Sequence, residues 1–304
     1  GARVVLSSRD ETDLRAAVDA IRADGGRAMH VVADVGDFDE VRGIADAAIR
    51  EFGAIDTWVN NAGVSIYGKI VDVPVADARR LFETNYWGVV NGSLVAIPHL
   101  REHGGALINI GSTLSDRAIP LQGHYGASKQ AVKAFTDTLR MELEKDGIPI
   151  SVTLVKPGAI DTPYPEHARN YMEMEPKHPP PVYAPEVVAR TILTCAERPT
   201  RDVYVGAGGK MTAAMDNIPR IGDRYMKATM FDQQKMADRP RPADREDSLW
   251  EPHPDDARER GSYPGRVRKS SAYTTAAMHP MATALGLAAV GVGMALAARR
   301  AREE

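Results

Sequence analysis

Short runs of apolar and β-branched residues alternate along residues 3–205 with longer stretches whose apolar positions recur every three or four residues. The short runs predict buried β-strands, and the longer stretches predict amphipathic helices. Strands that alternate with helices favour an α/β fold with a doubly wound parallel sheet, covered by helices on both faces. The predicted strands are 3–7, 28–32, 57–60, 106–110, 150–155 and 202–205, and the predicted helices are 10–23, 37–52, 75–100, 130–145 and 185–197.

The pattern changes near residue 231, so we expect one domain over 1–230 followed by two segments of different character. Residues 231–277 are rich in proline and in charges of both signs, which predicts a linker or a tail that lies over the domain. Residues 278–304 include the uncharged stretch 281–298, followed at once by arginines. About 17–25 apolar residues can span a bilayer, so this stretch is a candidate C-terminal membrane anchor. The alternative is a terminal amphipathic or buried helix.

The composition narrows the classes of function. Hydrophobic residues make up 43% of the chain and charged residues 26%, as in ordinary globular proteins. A net charge of −3 gives no electrostatic reason to expect a nucleic-acid partner. Cys195 is the single cysteine, which excludes an internal disulfide and a cysteine-based zinc site. We predict no metal site, and we expect a cytoplasmic domain that the C-terminal helix can tether to a membrane.

The chemistry is concentrated in the segment that contains Tyr125 and Lys129. Residues at i and i+4 share one face of a helix, so the ammonium group can lower the pKa of the phenol, which is ordinarily about 10. A phenol tuned in this way, with the Ser112 hydroxyl beside it, suits proton transfer to or from the oxygen of an alcohol or ketone. Taken alone, these three residue types are also common on amphipathic helices.

Further motifs occur in a characteristic order. Asn60-Asn61-Ala62-Gly63 follows one predicted strand, Asn85 lies further along, and Pro157-Gly158 and Thr162 follow a later strand. Together with Ser112, Tyr125 and Lys129, this set resembles the short-chain dehydrogenase/reductase family, in the branch with a Tyr-x-x-x-Lys site, over residues 1–215. The resemblance implies a Rossmann-like fold and transfer of a hydride between a nicotinamide cofactor and a secondary alcohol or ketone. It also implies a small-molecule substrate and a homo-oligomer.

The same resemblance implies a role for each catalytic candidate. Tyr125 would be the general acid/base, and Lys129 would lower the pKa of Tyr125 and hold the nicotinamide ribose. Ser112 would bind and orient the substrate oxygen. Asn85 would hold a water molecule that links Lys129 to solvent.

The resemblance also implies a set of cofactor-binding residues, and Arg9 indicates which cofactor they bind. An arginine at the end of the first predicted strand can pair with the 2′-phosphate of NADP, whereas an acidic residue would favour NAD. Arg9 therefore favours NADP, with NAD as the alternative, because Asp10 follows directly. The implied cofactor-binding residues are Arg9, Asp34, Val35, Asn61, Ala62, Gly63, Tyr125, Lys129, Pro157, Gly158 and Thr162.

The sequence departs from the family pattern at its start. Family members begin with a strand and a Thr-Gly-x-x-x-Gly-x-Gly turn that binds the pyrophosphate, and this motif is not found in the sequence. We therefore expect an N-terminally truncated fold that lacks its first strand and glycine-rich turn, in an inactive fragment of an NADP-dependent enzyme. The alternative function is a non-catalytic dinucleotide-binding or regulatory protein. Residues 164–183 occupy the substrate-loop position, where Tyr and Met side chains could line an apolar pocket.

Overall fold

The computed structural model describes residues 1–253, 258–286, 288 and 294. The strands are β1 (Arg3–Ser8), β2 (Arg27–Val32), β3 (Thr57–Asn60), β4 (Ile66–Tyr67), β5 (Gly105–Ile110), β6 (Ile150–Pro157), β7 (Ala159–Ile160), β8 (Arg169–Asn170), β9 (Met174–Pro176), β10 (Val182–Tyr183), β11 (Asp202–Val205), β12 (Lys235–Pro240) and β13 (Val267–Arg268). The helices are α1 (Glu11–Ala23), α2 (Phe38–Phe52), α3 (Val75–Phe82), α4 (Gly88–Leu100), α5 (Gly123–Lys145), α6 (Tyr164–His167), α7 (Pro185–Glu197), α8 (Ala207–Ala214), α9 (Pro219–Gln233) and α10 (Ala272–Met278).

A parallel four-stranded sheet in the order β3-β5-β6-β11 forms the centre of the fold. Successive side chains of a strand point to opposite faces, and β5 shows this alternation. Ala106, Ile108 and Ile110 pack with residues of α7. Leu107 packs on the other side with residues of α4 and α5. The sheet is therefore covered on both faces, and the predicted α/β class is confirmed.

β1 and β2 form a separate parallel pair, in register from Arg3 opposite Arg27 to Ser8 opposite Val32. Within the described residues, β1 is not hydrogen-bonded to β3. A cavity of about 910 Å³ is lined by residues of both strands, including Val5 and Val59. This cavity continues to the carboxyl ends of the strands, where ligands of such sheets bind.

Aspartate side chains cap the first two helices. The Asp10 carboxylate accepts from the Asp13 amide at the start of α1, and the Asp37 carboxylate accepts from two amides at the start of α2. Side chains of this type satisfy backbone donors that have no partner within the helix. α2 ends at Gly53, whose φ of 83° is readily adopted by glycine.

Two of the predicted helices differ from the structure. The single helix expected over 75–100 is interrupted by a π-helical segment, Glu83–Trp87, between α3 and α4. Such segments frequently mark functional sites. α5 begins at Gly123 and not at residue 130, so Tyr125 and Lys129 both lie within the helix. The predicted helical relation between these two residues therefore holds in the structure.

The segment after α9 lies against the domain. β12 pairs antiparallel with β9, and Leu249 is completely buried. The Arg245 side chain is 9% exposed and lies 3.1 Å from the Glu175 carboxylate. It also donates to the carbonyl oxygens of Pro165, Glu166 and Ala168. This arginine fixes the tail to the segment that follows β7.

The proposed membrane anchor, 281–298, falls largely outside the described residues. In the part of the chain that the structure describes, no helix has both the length and the apolar character needed to cross a membrane.

Replacement of Arg245 by alanine is expected to lower the free energy of unfolding by about 3 kcal/mol, because it leaves a buried carboxylate and three carbonyl groups without their donor. Urea denaturation measures this change. Arg239→Ala, which removes an exposed arginine of β12, serves as the control and should change stability by less than about 0.5 kcal/mol. Equal effects of the two substitutions would contradict the anchoring role of Arg245.

Candidate active site

The ends of β5 and the start of α5 bring Ser112, Tyr125 and Lys129 together. Ser112 lies two residues beyond β5 and caps the short helical turn Thr113–Ser115. Tyr125 and Lys129 lie one helical turn apart on α5. All three side chains are buried, with Lys129 only 3% exposed. Three of the four predicted catalytic residues therefore lie together at the carboxyl end of the central sheet.

The Lys129 ammonium group has one close backbone acceptor. Its Nζ atom donates to the carbonyl oxygen of Ile110, the last residue of β5, over 2.8 Å. The same atom lies 5.8 Å from the centre of the Tyr125 ring. Burial lowers the pKa of Lys129 to about 8, because the charged form loses its hydration.

The pKa of the Tyr125 phenol is shifted in the direction opposite to the one that the sequence predicts. Burial raises the pKa of Tyr125, and the neighbouring hydroxyl groups of Tyr164 and Ser112 oppose this effect without reversing it. The ammonium group of Lys129 lies over the ring and donates to Ile110, so it does not offset the desolvation of the phenolate. The net direction of the shift in the pKa of Tyr125 is therefore upward in the structure, whereas the sequence predicts a downward shift.

Ser112 is held by its own local hydrogen bonds. Its Oγ atom accepts from the Leu114 amide over 3.1 Å, and its own amide donates to Ser115 Oγ over 3.1 Å. In the first of these bonds Ser112 Oγ is the acceptor, so its own hydrogen stays available to a ligand. The hydroxyl lies beside the Tyr125 phenol. Ser112 can therefore donate to the same oxygen atom as Tyr125.

Asn85 is completely buried in the π-helical segment Glu83–Trp87. Its amide forms two hydrogen bonds to the backbone of Val64, at 2.8 and 3.0 Å, and donates to Ser128 Oγ over 3.1 Å. Ser128 Oγ in turn donates to the Tyr125 carbonyl oxygen over 2.7 Å. Both hydrogens of Asn85 Nδ2 and one lone pair of Oδ1 are thus used in joining the turn after β3 to α5.

A network of buried hydrogen bonds joins β3, β5 and α5 next to the site. Asn60 Nδ2 donates to Asn109 Oδ1 over 2.8 Å, and Asn109 Nδ2 donates to Thr136 Oγ1 over 2.9 Å. Gly92 of α4 lies so close to Asn60 that an added Cβ would be 2.0 Å from Asn60 Oδ1. The network fixes β3, β5 and α5 relative to one another, and it requires a residue without a side chain on α4.

The predicted cofactor residues divide into two groups. Those that line the cavity between β1 and β3 are Arg9, Asp34, Val35, Asn61, Ala62 and Gly63. Those that lie outside its lining are Tyr125, Lys129, Pro157, Gly158 and Thr162. Gly63 connects the groups, because an added Cβ there would lie 3.7 Å from Lys129 Nζ. The cavity therefore reaches the edge of the catalytic cluster.

Arg9 and Asp34 already have partners within the chain. Arg9 donates to the carbonyl oxygens of Ser248 and Trp250. Asp34 forms an ion pair with Arg80. Burial opposes ionisation of Asp34, but the Arg80 guanidinium and the Gly36 amide hold the pKa of its carboxyl group below the usual value. The tail thus covers this end of the cavity.

β6 ends at Pro157, and the amide of the next residue, Gly158, donates to the Val205 carbonyl oxygen over 3.0 Å. The Thr162 amide donates to the Ile160 carbonyl oxygen over 2.8 Å. Both segments therefore follow the strand beside β5, on the same edge of the sheet as Ser112.

Three further polar residues, which include Tyr164 beside Tyr125 and two neighbours of Tyr164, were not identified as site residues from the sequence. They are Ser65, Tyr164 and His178. Tyr164 belongs to the segment expected to form the substrate loop, but the pairing of Tyr164 with His178 depends on how the loop folds. No spacing in the sequence indicates that contact.

The comparisons with known proteins agree with this architecture. The family model described as short chain dehydrogenase matches residues 1–172. The uncharacterized oxidoreductase YxnA of Bacillus subtilis (strain 168) is 42% identical over 310 aligned residues, which cover 99% of this chain and 85% of YxnA.

Solved structures extend the comparison. A short-chain dehydrogenase/reductase from Burkholderia phymatum in complex with NAD has a TM-score of 0.63 and 25% identity, covering 71% of this chain and 84% of its own. An alcohol dehydrogenase from the archaeon Thermococcus sibiricus, complexed with 5-hydroxy-NADP, has a TM-score of 0.58 at 20% identity, covering 66% of this chain and 84% of its own. The second likeness supports the fold alone. The chain belongs to the short-chain dehydrogenase/reductase family.

Proposed function

We propose that this protein is an NADP-dependent oxidoreductase that interconverts a secondary alcohol and a ketone. The observation that supports it most strongly is the buried cluster of Ser112, Tyr125 and Lys129 at the carboxyl end of β5. A module that only binds dinucleotide would not need two hydroxyl donors beside a buried lysine. The cluster therefore favours catalysis over a binding or regulatory role.

The nicotinamide cofactor, when bound, supplies or accepts the hydride. The chain supplies the proton and the orientation. Ser112 and Tyr125 donate to the substrate oxygen, which places the carbonyl and polarises it. Because burial raises its pKa, the Tyr125 phenol is protonated at neutral pH, as reduction of a ketone requires. Lys129 and Asn85 fix the position of α5 through Ile110 and Val64.

The residues that line the cavity fit the adenosine end of a dinucleotide. Arg9, Asp34 and Val35 lie at one end of it, and the Asn61–Gly63 turn lies toward the catalytic cluster. A phosphate group would form stronger, charge-assisted bonds with Arg9 than the two carbonyl groups of the tail do. NADP can therefore displace these carbonyl groups, whereas NAD offers Arg9 no such charge.

Replacement of Tyr125 by phenylalanine should reduce kcat/KM for ketone reduction at least about 100-fold, because the proton donor is lost. The decrease in NADPH absorbance measures this in the full-length protein, with a panel of ketones as substrates. Tyr225→Phe removes the hydroxyl of an exposed tyrosine on α9 and should leave the rate unchanged. Turnover that persists in Tyr125→Phe would reject the catalytic assignment.

Replacement of Arg9 by alanine should raise KM for NADPH by about tenfold to a hundredfold, with KM for NADH changing much less. Steady-state kinetics measure KM for NADPH and KM for NADH separately. The matched control is Arg15→Ala, which removes an exposed arginine of α1 paired with Glu11. If both cofactors respond equally to Arg9→Ala, the proposed preference for NADP is wrong.

The buried lysine predicts a pH dependence of stability. Its pKa is about 8 in the folded protein against 10.5 ordinarily, so between these values the unfolded chain binds a proton that the folded chain does not. The free energy of unfolding of the wild type should therefore rise relative to Lys129→Met from pH 8 to 10.5, by up to about 1.4 kcal/mol per pH unit.

Denaturant titrations at several pH values measure this difference. Lys133→Met is the control on the same helix, because Lys133 pairs with Asp137 and its pKa is raised. The difference in the free energy of unfolding between Lys133→Met and the wild type should change little over most of the range from pH 8 to 10.5. Parallel curves for the wild type and Lys129→Met would show that the ammonium group is not desolvated.

A further inference from the structure

Three buried polar atoms belong to residues grouped around Tyr164, whose ring packs on Tyr125. Ser65 Oγ, Tyr164 Oη and His178 Nε2 make no well-formed hydrogen bond within the described part of the chain. Ser65 is 2% exposed and His178 is 8% exposed. Buried polar groups are nearly always hydrogen-bonded, because an unmade bond costs free energy. Three such groups in one cluster indicate a binding site for another polar molecule.

The rings place these atoms next to Tyr125. Tyr164 packs edge-to-face on Tyr125, with ring centroids 5.7 Å apart, and stacks on His178 at 6.0 Å with an interplanar angle of 12°. The Tyr164 hydroxyl lies beside those of Tyr125 and Ser65, without the alignment of a good hydrogen bond. The hydroxyl groups of Tyr164 and Ser65 therefore continue the group of neighbouring hydroxyls formed by Ser112 and Tyr125.

Contacts outside the cluster hold it in place. Tyr164 starts α6, whose Pro165 and Glu166 carbonyl groups accept from Arg245. The residue before His178, Lys177, donates its amide to the Gln234 carbonyl oxygen over 3.0 Å. Both ring positions are thus fixed by the C-terminal segment, so the stacked pair is part of the folded site.

The surroundings of the cluster select for an uncharged ligand. Ile66, Leu114, Met226 and Met230 form an apolar cluster around Tyr125, with Tyr164 packed against it. Burial lowers the pKa of His178 to about 4 and raises the pKa of Tyr164 well above its usual value. Both side chains are therefore neutral near pH 7, and they can exchange hydrogen bonds with a hydroxyl or carbonyl group but cannot neutralise a carboxylate.

We propose that Tyr164, with His178 and Ser65, binds a second, uncharged oxygen on the carbon next to the reacting carbon of the substrate. Oxygen atoms on adjacent carbons are about 3 Å apart, which is the span of one hydrogen bond. A substrate whose reacting oxygen contacts Ser112 and Tyr125 thus presents its second oxygen to Tyr164. The substrate class is then α-hydroxyketones and the corresponding vicinal diols, with an apolar remainder. This inference rests on the proposed function, since it takes Tyr125 as the group that contacts the reacting oxygen.

The test compares two ketones that differ by one hydroxyl group, 1-phenylpropan-1-one and 2-hydroxy-1-phenylpropan-1-one. Their Kd values are measured by titration calorimetry with the full chain, and kcat and KM are measured with NADPH. The variants are Tyr164→Phe, which keeps the ring, and His178→Phe, which keeps a ring for stacking and removes Nε2. Tyr171→Phe is the control, because the Tyr171 hydroxyl in the same segment binds Asp77.

The wild type and Tyr171→Phe should bind the hydroxyketone at least tenfold more tightly than the plain ketone. Tyr164→Phe should remove this preference by raising KM and Kd for the hydroxyketone, with kcat and the plain ketone changed less than threefold. His178→Phe should reduce the preference in the same direction. The charged analogue 2-oxo-2-phenylacetate should gain no affinity over the plain ketone.

Two results would overturn the inference. One is equal binding of the two ketones by the wild type, and the other is an equal loss for both ketones in Tyr164→Phe. Selective binding of the hydroxyketone without turnover of either ketone would instead reject the proposed oxidoreductase function and leave the binding site supported. The calorimetric and kinetic readouts therefore separate the two proposals.

Discussion

The buried ammonium group of Lys129 is the constraint on which the site depends. A cation with 3% exposure requires a hydrogen-bond acceptor, and the nearest one is the Ile110 carbonyl oxygen at the end of β5. This bond fixes the first turns of α5 against the central strand. As a result, Tyr125 is placed beside Ser112, which follows the same strand. The asparagine network of β3, β5 and α5 supports the same arrangement without using any of the reacting groups.

Burial also sets the protonation states of the site. It raises the pKa of Tyr125 and lowers that of Lys129, so the phenol is held as a neutral donor and the lysine is close to losing its charge. The same physical effect lowers the pKa of His178 to about 4 and raises that of Tyr164, so both side chains stay uncharged near pH 7. An apolar enclosure with several neutral hydrogen-bonding groups favours an uncharged, oxygen-bearing substrate. The tail contacts Arg9 and Arg80 at the other end, so the C-terminal segment is part of the lining of the cavity between β1 and β3.

Much of the fold could be predicted from local patterns. The apolar runs of the central strands and the capping residues Asp10 and Asp37 are local signals, and the structure places β-strands and helices where they occur. The π-helical segment around Asn85 could not be predicted, because it depends on the pairing of Asn85 with the Val64 backbone. The helices after β11 were also missed. Their buried residues, such as Met226, pack against the cluster around Tyr125, and this cluster forms only in the folded chain.

The sequence by itself determined the alternating α/β architecture and the grouping of two candidate catalytic side chains, since helical spacing places Tyr125 and Lys129 on one face wherever that helix lies. Only the tertiary structure decided the direction of the pKa shift of Tyr125. The sign depends on whether desolvation or the nearby cation has the larger effect, and burial arises from packing between distant segments. The tertiary structure likewise decided that Tyr164 meets His178 beside the catalytic tyrosine, because the C-terminal segment holds both in place.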